Sequence, residues 1–423
     1  MTLTIELIHP PHPDASEDRL DVPMGLLYIA ANLEKHGYKV RINDLSGSPE
    51  AEWEVGSADI YGITVYVTTI NLAEKIALLC KNKNENCKVI VGGAHPTALP
   101  ESMSNLFDVV VIGEGEIAML EVVKDFPNNK RYYEVPLSKD LDLYPNPAYH
   151  LVDLQTYKRT IGGNSSLTIL TSRGCPYRCA FCGLAKHHKI IKTRSPEAVA
   201  EEIKFLKEKY NITSFNFQDD TFTCNRKRLY HLLDLLKPLN ISFKCHGRAG
   251  LDTKEDYEKL KEAGCNILIW GTESGSQKIL ERMNKQASVQ DNENVIKWAK
   301  ECGIIARCNF IVGFPGETKE TLEETKSFIE KTNPDQYFIS NFVPFPGTDV
   351  WNNPEKYDVV WMNKIFDNYY QVNKTESGGI NIATKFLSVE EFAELEKEFR
   401  VWMKQRGRRG PLLEYEKKME KAS

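Results

Sequence analysis

The sequence predicts an α/β protein: an open parallel sheet, then a partial (β/α)6 barrel, then a helical extension at the carboxyl end. Three observations carry this. Short β-rich runs alternate with amphipathic helical patterns from the first residues to about residue 350, as parallel strands joined by crossovers require. The alternation breaks once, at a proline-bearing connector. Past residue 350 the strand runs give way to an aromatic, then helical and charged tail. The expected divisions are therefore residues 1–130, 131–165, 166–350 and 351–423.

The 423 residues are enough for two cores. Hydrophobic content of 41% and charged content of 27% are ordinary for a soluble protein. A net charge of -5 gives no footing for a polyanion, so no nucleic-acid partner is expected. Ten cysteines are too sparse for a disulfide scaffold. The start carries no basic leader, and no run reaches the length of a membrane span, so a cytoplasmic location is expected.

In the first division, strand runs fall at residues 4–8, 38–42, 60–65, 89–91 and 109–112. Helical repeats at residues 26–33, stopped by Gly37, and at 70–79 lie between them. The segment 44–60 is too short for a full crossover helix. Ligands of such sheets bind beyond the strands' carboxyl ends. Two of those ends read Gly92-Gly93-Ala-His95-Pro-Thr97 and Gly113-Glu114-Gly115-Glu116. Glycines there let backbone approach a large ligand, although Gly-Gly after a strand is also an ordinary turn. In the connector, Pro136, Pro145 and Pro147 break any long helix.

The barrel opens with a strand at 166–171 that runs into Thr171-Ser-Arg-Gly-Cys-Pro-Tyr-Arg-Cys-Ala-Phe-Cys-Gly183. Cys175, Cys179 and Cys182 stand in the spacing C-x3-C-x2-C on the loop leaving that strand. A cubane iron–sulfur cluster normally takes four thiolates, and a site that supplies three leaves one metal open for a substrate. Zinc is the alternative, with His187 or His188 as fourth ligand, and unligated core thiols are another. Ser195-Pro196-Glu197 starts a helix whose apolar face is Val199, Ile203 and Leu206. Further strands are expected at 214–217, 241–245, 266–270, 306–312 and 336–343, with helices that include 257–263 and 321–332. Their carboxyl ends, where barrel sites collect, read Gln218-Asp219-Asp220-Thr-Phe222, His246-Gly-Arg248, Gly271-Thr-Glu273-Ser-Gly275, Gly313-Phe-Pro-Gly-Glu-Thr318 and Val343-Pro-Phe-Pro-Gly-Thr348.

The cysteine loop, with Phe181 before its last cysteine, and these strand ends in this order resemble the radical S-adenosylmethionine (radical SAM) superfamily. Together with residues 23–30 and the glycine-bearing ends of the first sheet, they resemble its methyltransferase-like class with a Rossmann-like cobalamin-binding domain ahead of the barrel. The resemblance covers about residues 3–350. It implies a [4Fe–4S] cluster on Cys175, Cys179 and Cys182. It implies S-adenosylmethionine contacts from Phe181, Asp219, Asp220, Arg248 and Glu273: Glu273 on the ribose hydroxyls, Arg248 on the methionine carboxylate, one aspartate on the amino group and the other capping the next helix. Cobalamin would meet Gly92, Gly93, His95, Thr97, Gly113, Glu114 and Gly115. The motif Asp-x-His-x-x-Gly, which gives cobalt an axial histidine elsewhere, is absent; His95 is expected to hydrogen-bond backbone, and Lys285 to be solvated.

The activity so implied is methyl transfer to an unactivated carbon of a small metabolite or natural-product intermediate, with a flavodoxin or ferredoxin as electron donor. The alternatives are a radical oxidoreductase, cyclase or rearrangement catalyst without methyl transfer, and a zinc-stapled binding module. No motif names the substrate. In the tail, Trp351, Trp361, Phe366, Tyr369 and Tyr370 precede a helix at 388–402, capped by Ser388 with Phe392, Leu395 and Phe399 on its apolar face. By the same resemblance this region closes over the barrel mouth. Arg406-Gly-Arg-Arg409 reads as a solvated end.

Overall fold

The structure, a computed structural model, describes residues 3–13, 15, 17–135, 138–183, 190–369 and 380–406. Pro136, His187, His188, Tyr370 and Arg409, named above, lie outside the described residues.

The first sheet has six parallel strands in the order β2-β1-β3-β4-β5-β6. They are β1 Thr4–His9, β2 Lys39–Asp44, β3 Ile60–Thr64, β4 Lys88–Gly92, β5 Val109–Ile112 and β6 Tyr132–Glu134. The strand order reverses at β1, and the crevice beyond the carboxyl ends near such a switch is where these sheets take ligands. The crossover from β2 to β3 holds only a short 3-10 turn, Glu50–Glu52, yet β3 still pairs with β1 in register. Helices α1 Met24–Lys35, α2 Ile70–Lys83, α3 Ala94–Ala98 and α4 Gly115–Asp125 cover the faces. β6 extends the sheet past residue 130 into the stretch read as connector, because a three-residue strand leaves almost no periodicity to detect.

The second sheet runs β15-β14-β13-β12-β11-β8-β7. Its six parallel strands are β8 Asn164–Ile169, β11 Ser214–Phe217, β12 Ser242–His246, β13 Cys265–Glu273, β14 Ile305–Val312 and β15 Gln336–Asn341. A two-residue strand, β7 Thr160–Ile161, pairs with β8 in a hairpin. Beside the cysteine loop, β9 Ser172–Arg173 pairs antiparallel with β10 Lys192–Thr193. The covering helices are α5 Pro196–Tyr210, α6 Arg226–Leu236, α7 Lys254–Glu262, α8 Gln277–Arg282, α9 Val289–Glu301 and α10 Lys319–Thr332. Helix α7 starts three residues before the expected position, because Thr253 and Asp256 form a reciprocal capping box.

Helix α1 joins the two halves. Its Leu26, Ala30 and Leu33 pack in the core of the first sheet, while Met24, Leu27 and Tyr28 pack with Val199, Phe217 and Leu233 in the core of the second. One amphipathic helix thus buries both sides, and separating the sheets would expose apolar area on each. After β15 come α11 Asp349–Asn352, a hairpin of β16 Val359–Met362 with β17 Ile382–Thr384, and α12 Val389–Gln405. Ser388 caps α12 as expected. Val350, Tyr357, Ile382 and Phe392 form one apolar cluster with Ala180 of the cysteine loop and with Phe314 and Phe342, so the extension does pack on the barrel mouth. Trp361 is exposed on its hairpin and has no aromatic-ring contact among the described residues.

Candidate active site

The cysteine loop leaves β8 at the carboxyl edge of the barrel and is pinned on several sides. The Gly174 amide donates to the Asp220 carboxylate at 2.8 Å. The Asn284 side-chain amide donates to the Arg178 carbonyl at 2.8 Å. The Ala180 amide donates to the Met283 carbonyl at 2.8 Å, and the Val350 amide to the Ala180 carbonyl at 3.3 Å. Cys175, Cys179 and Cys182 form no disulfide; Cys179 is buried and the other two are half-buried. Among the described residues no three His, Cys, Asp or Glu side chains converge as a single metal ion requires. Three thiols on one fixed loop, with no fourth ligand among the described residues, suit a cluster that leaves one iron open.

The neighbouring strand ends close on this loop. The Arg248 guanidinium lies over the Tyr177 ring at 3.3 Å and donates to the Lys285 carbonyl. Its backbone is fixed by Asp252, which accepts from the Arg248 amide at 2.9 Å and from Thr223 and Tyr257; burial pushes the Asp252 carboxyl up to about 6. Glu273, at the end of β13, has φ +63°, a left-handed conformation uncommon for a residue of this size. Its carboxylate meets the Lys285 ammonium at 2.9 Å, with each side chain 8% exposed. Lys285 Nζ also stands 5.9 Å from the Phe181 ring. The expectation of a solvated Lys285 is therefore wrong: the turn after α8 folds it inward onto Glu273.

The two aspartates divide differently from expectation. Asp219 is enclosed and accepts from the Thr171 amide at 2.7 Å, the Thr171 hydroxyl at 2.5 Å and the Ser172 hydroxyl at 2.8 Å. Burial pushes its carboxyl up while those bonds pull it down. Asp219 thus ties β11 to β8 from within. Asp220 touches the loop through Gly174, and burial raises it too. Neither caps the next helix; Asn225 does, accepting from the Arg228 amide.

A cavity of about 580 Å³ opens beyond the carboxyl edge of the first sheet. All seven residues expected there line it: Gly92, Gly93, His95, Thr97, Gly113, Glu114 and Gly115. Leu170, Arg173 and Gly183, which flank the cysteine loop, line it as well. Gly93 has φ +111° and would set a Cβ 3.0 Å from the Val65 carbonyl, so only glycine turns the chain there. Gly115 has a different reason from the one expected: its missing side chain makes room for Ile29 of α1, whose Cδ1 would lie 2.6 Å from a Cβ.

A family model for the radical SAM superfamily matches residues 169–329, and one for the B12 binding domain matches residues 21–123. An uncharacterised methyltransferase of Pyrococcus horikoshii is 33% identical over 357 residues, covering 78% of this chain and 77% of that protein. The chain belongs to the radical SAM superfamily, with a B12-binding domain ahead of the barrel. An anaerobic magnesium-protoporphyrin IX monomethyl ester cyclase of Rubrivivax gelatinosus is 28% identical over 366 residues, covering 78% of this chain and 65% of that protein. The structure of the radical S-adenosylmethionine methyltransferase TsrM from Kitasatospora setae, with cobalamin and a [4Fe–4S] cluster bound, superposes with a TM-score of 0.70 at 17% identity over 95% of this chain and 89% of that one; this likeness is one of fold.

The cofactors of this radical SAM chain are a [4Fe–4S] cluster, S-adenosylmethionine and cobalamin. Its residues fit them: three cysteines outside any disulfide on a pinned loop, and a roomy crevice at the switch point of the B12-binding sheet. His95 is buried on α3 rather than in a loop, and its partner is a side chain rather than backbone. Ser102 donates its hydroxyl to the Leu99 carbonyl at 2.7 Å, so its oxygen accepts the hydrogen of His95 Nε2 at 2.9 Å. Burial pushes the imidazole down to about 4, which keeps it neutral at pH 7.

Three residues of the radical SAM site, Lys192, Arg173 and Glu116, escaped the sequence, as did the partner of the expected Glu114. Lys192 pairs with Glu114 at 2.6 Å, and Arg173 with Glu116 at 2.5 Å. All four are buried or nearly so, and they bind the cysteine loop's flanks to the wall of the cavity. Arg173 stands inside the cysteine motif and is a signal of sorts; nothing near Lys192 announces a partner 78 residues away.

Proposed function

We propose that the chain is a cobalamin-dependent radical SAM methyltransferase that methylates an unactivated carbon of a small metabolite or natural-product intermediate. The observation that supports this best is the shared wall: Leu170, Arg173 and Gly183 flank the cysteine loop and also line the cavity of the B12-binding sheet. When bound, the cluster and S-adenosylmethionine supply a carbon-centred radical, and the corrinoid carries the methyl group. The chain's own residues hold and orient. Cys175, Cys179 and Cys182 would hold the cluster, leaving one iron for S-adenosylmethionine. Arg248, stacked on Tyr177, and Glu273, set by Lys285, would receive its carboxylate and ribose, with Asp220 and Phe181 beside them. Gly92, Gly93, Thr97 and Gly113 would line the corrinoid's nucleotide tail, with His95 neutral and off the metal. A flavodoxin or ferredoxin would deliver the electron, and the cytoplasm, where thiols stay reduced, would be its compartment. Among the described residues no helix is long and apolar enough to cross a membrane.

The test is anaerobic reconstitution with iron, sulfide and hydroxocobalamin, followed by turnover with S-adenosylmethionine labelled in its methyl group. Label in the corrinoid, together with 5′-deoxyadenosine, is the expected outcome. Failure to retain cobalamin near one per chain would overturn the reading. A second reading follows from the cyclase relative: radical chemistry with cobalamin bound but no label leaving S-adenosylmethionine.

A further inference from the structure

The interior of the barrel is unlike its outer face. On β12, Phe243 and Cys245 belong to the core under the helices, so Lys244, between them, points the other way, into the lumen. On β14, Ala306, Cys308, Phe310 and Val312 belong to the same core, which turns Arg307 inward as well. The inward positions of β14 and β15 are partly exposed while their neighbours are buried, so solvent reaches the lumen from the open side of the barrel. Lys244 is only 6% exposed, and its ammonium has no hydrogen bond or ion pair among the described residues.

Its electrostatic neighbours are Arg159, Arg307, whose Nε donates to the Gln336 side-chain oxygen at 2.7 Å, and Asp21. The Asp21 carboxylate is already committed to Arg159 and to the Thr168 hydroxyl at 2.6 Å. His246, one layer above, is driven down to about 4 by burial and by Lys244 and Arg307, so it adds no charge at pH 7. Burial and the two arginines pull Lys244 down to about 7, so without a counter-charge it gives up its proton, and an anion beside it would hold it charged.

We propose that the barrel lumen is an anion site, and that the substrate carries a carboxylate or phosphoryl group seated between Lys244 and Arg307. This rests on the lumen being the substrate chamber of the enzyme proposed above. Lys244 lies two residues, about 7 Å along the strand, below the end of β12. An anionic group held there would leave the rest of a small substrate reaching up toward the cysteine loop.

The experiment is anaerobic calorimetry on the cluster-reconstituted full chain with inorganic phosphate and with glutarate as probes, in the wild type and in Lys244→Met and Arg307→Met. Binding of one probe is expected, weakened at least about tenfold in either variant, the loss of one charge-assisted hydrogen bond. S-adenosylmethionine affinity, titrated in the same samples, should not change. The melting temperature of Lys244→Met should rise or hold, since the variant removes an unpartnered buried amine; a lysine with a structural role would give a fall. No probe binding to the wild type, equal binding by Lys244→Met, or a parallel loss of S-adenosylmethionine binding would each overturn the proposal, the last by assigning the lysine to the cofactor. Methyl label in the corrinoid is read separately, so failure of the anion site and failure of the methyltransferase reading are distinguishable.

Discussion

Replacing Lys192 by methionine should destabilise the protein by about 3–5 kcal/mol at pH 7.5, the cost of breaking a buried pair from one side. Lys192 Nζ lies 2.6 Å from Glu114 Oε1, with the side chains 2% and 3% exposed. At an effective dielectric of about 20 the Coulomb attraction at that distance is roughly 6 kcal/mol, which offsets the desolvation of both ions. Without the lysine, Glu114 keeps long contacts among the described residues: Arg173 at 3.9 Å, the Tyr144 hydroxyl at 3.5 Å and the Ser138 amide at 3.3 Å. Arg173 is itself committed to Glu116. The cost should therefore fall in the upper half of that range. The assay is urea unfolding of the cofactor-free protein, followed in parallel by tryptophan fluorescence and circular dichroism to check that one transition is being read. Adding Glu114→Gln to Lys192→Met should recover most of the loss. A deficit under about 1 kcal/mol, or a double variant no better than the single, would refute the view that this pair is buried, matched and internally compensated.

Alanine at Cys175, Cys179 and Cys182 together should abolish reconstituted iron and the cluster's visible absorbance; about four irons per chain in the triple variant would sink the cluster assignment. Glu273→Ala combined with Lys285→Met, which avoids stranding the lysine, should weaken S-adenosylmethionine binding at least about tenfold while the cluster is retained. Unchanged affinity would remove Glu273 from the site. His95, held near 4 by burial, should cost stability as pH falls from about 6.5, because the unfolded chain takes up its proton first; the full effect by pH 4 is about 3 kcal/mol. His95→Gln should flatten that part of the melting profile, leaving the contribution of the similarly buried His9 and His246, and an unchanged profile would contradict the neutral assignment. Gly115→Val should press on Ile29 and lower cobalamin loading without touching iron content; normal loading would show that the α1–α4 contact does not shape the cavity.

What the sequence by itself determined is what short-range rules govern. Strand and helix alternation, the caps at Ser195 and Ser388, and the placing of three cysteines on a loop leaving a strand all follow from residues a few positions apart. The seven residues expected at the first sheet's edge line one cavity because β4 and β5 are adjacent parallel strands, and adjacency fixes where their ends meet. Partnership of charges was decided only by the tertiary structure. Asp219 and Asp220 are consecutive and chemically identical, yet one faces β8 and the other the cysteine loop. Lys285 looked solvated because nothing local shows that it meets Glu273, and Glu114 finds Lys192 across 78 residues. A side chain's periodicity reports which face of its own element it occupies; which opposite charge awaits it depends on how separate elements pack, and that is not written in any window of neighbouring residues.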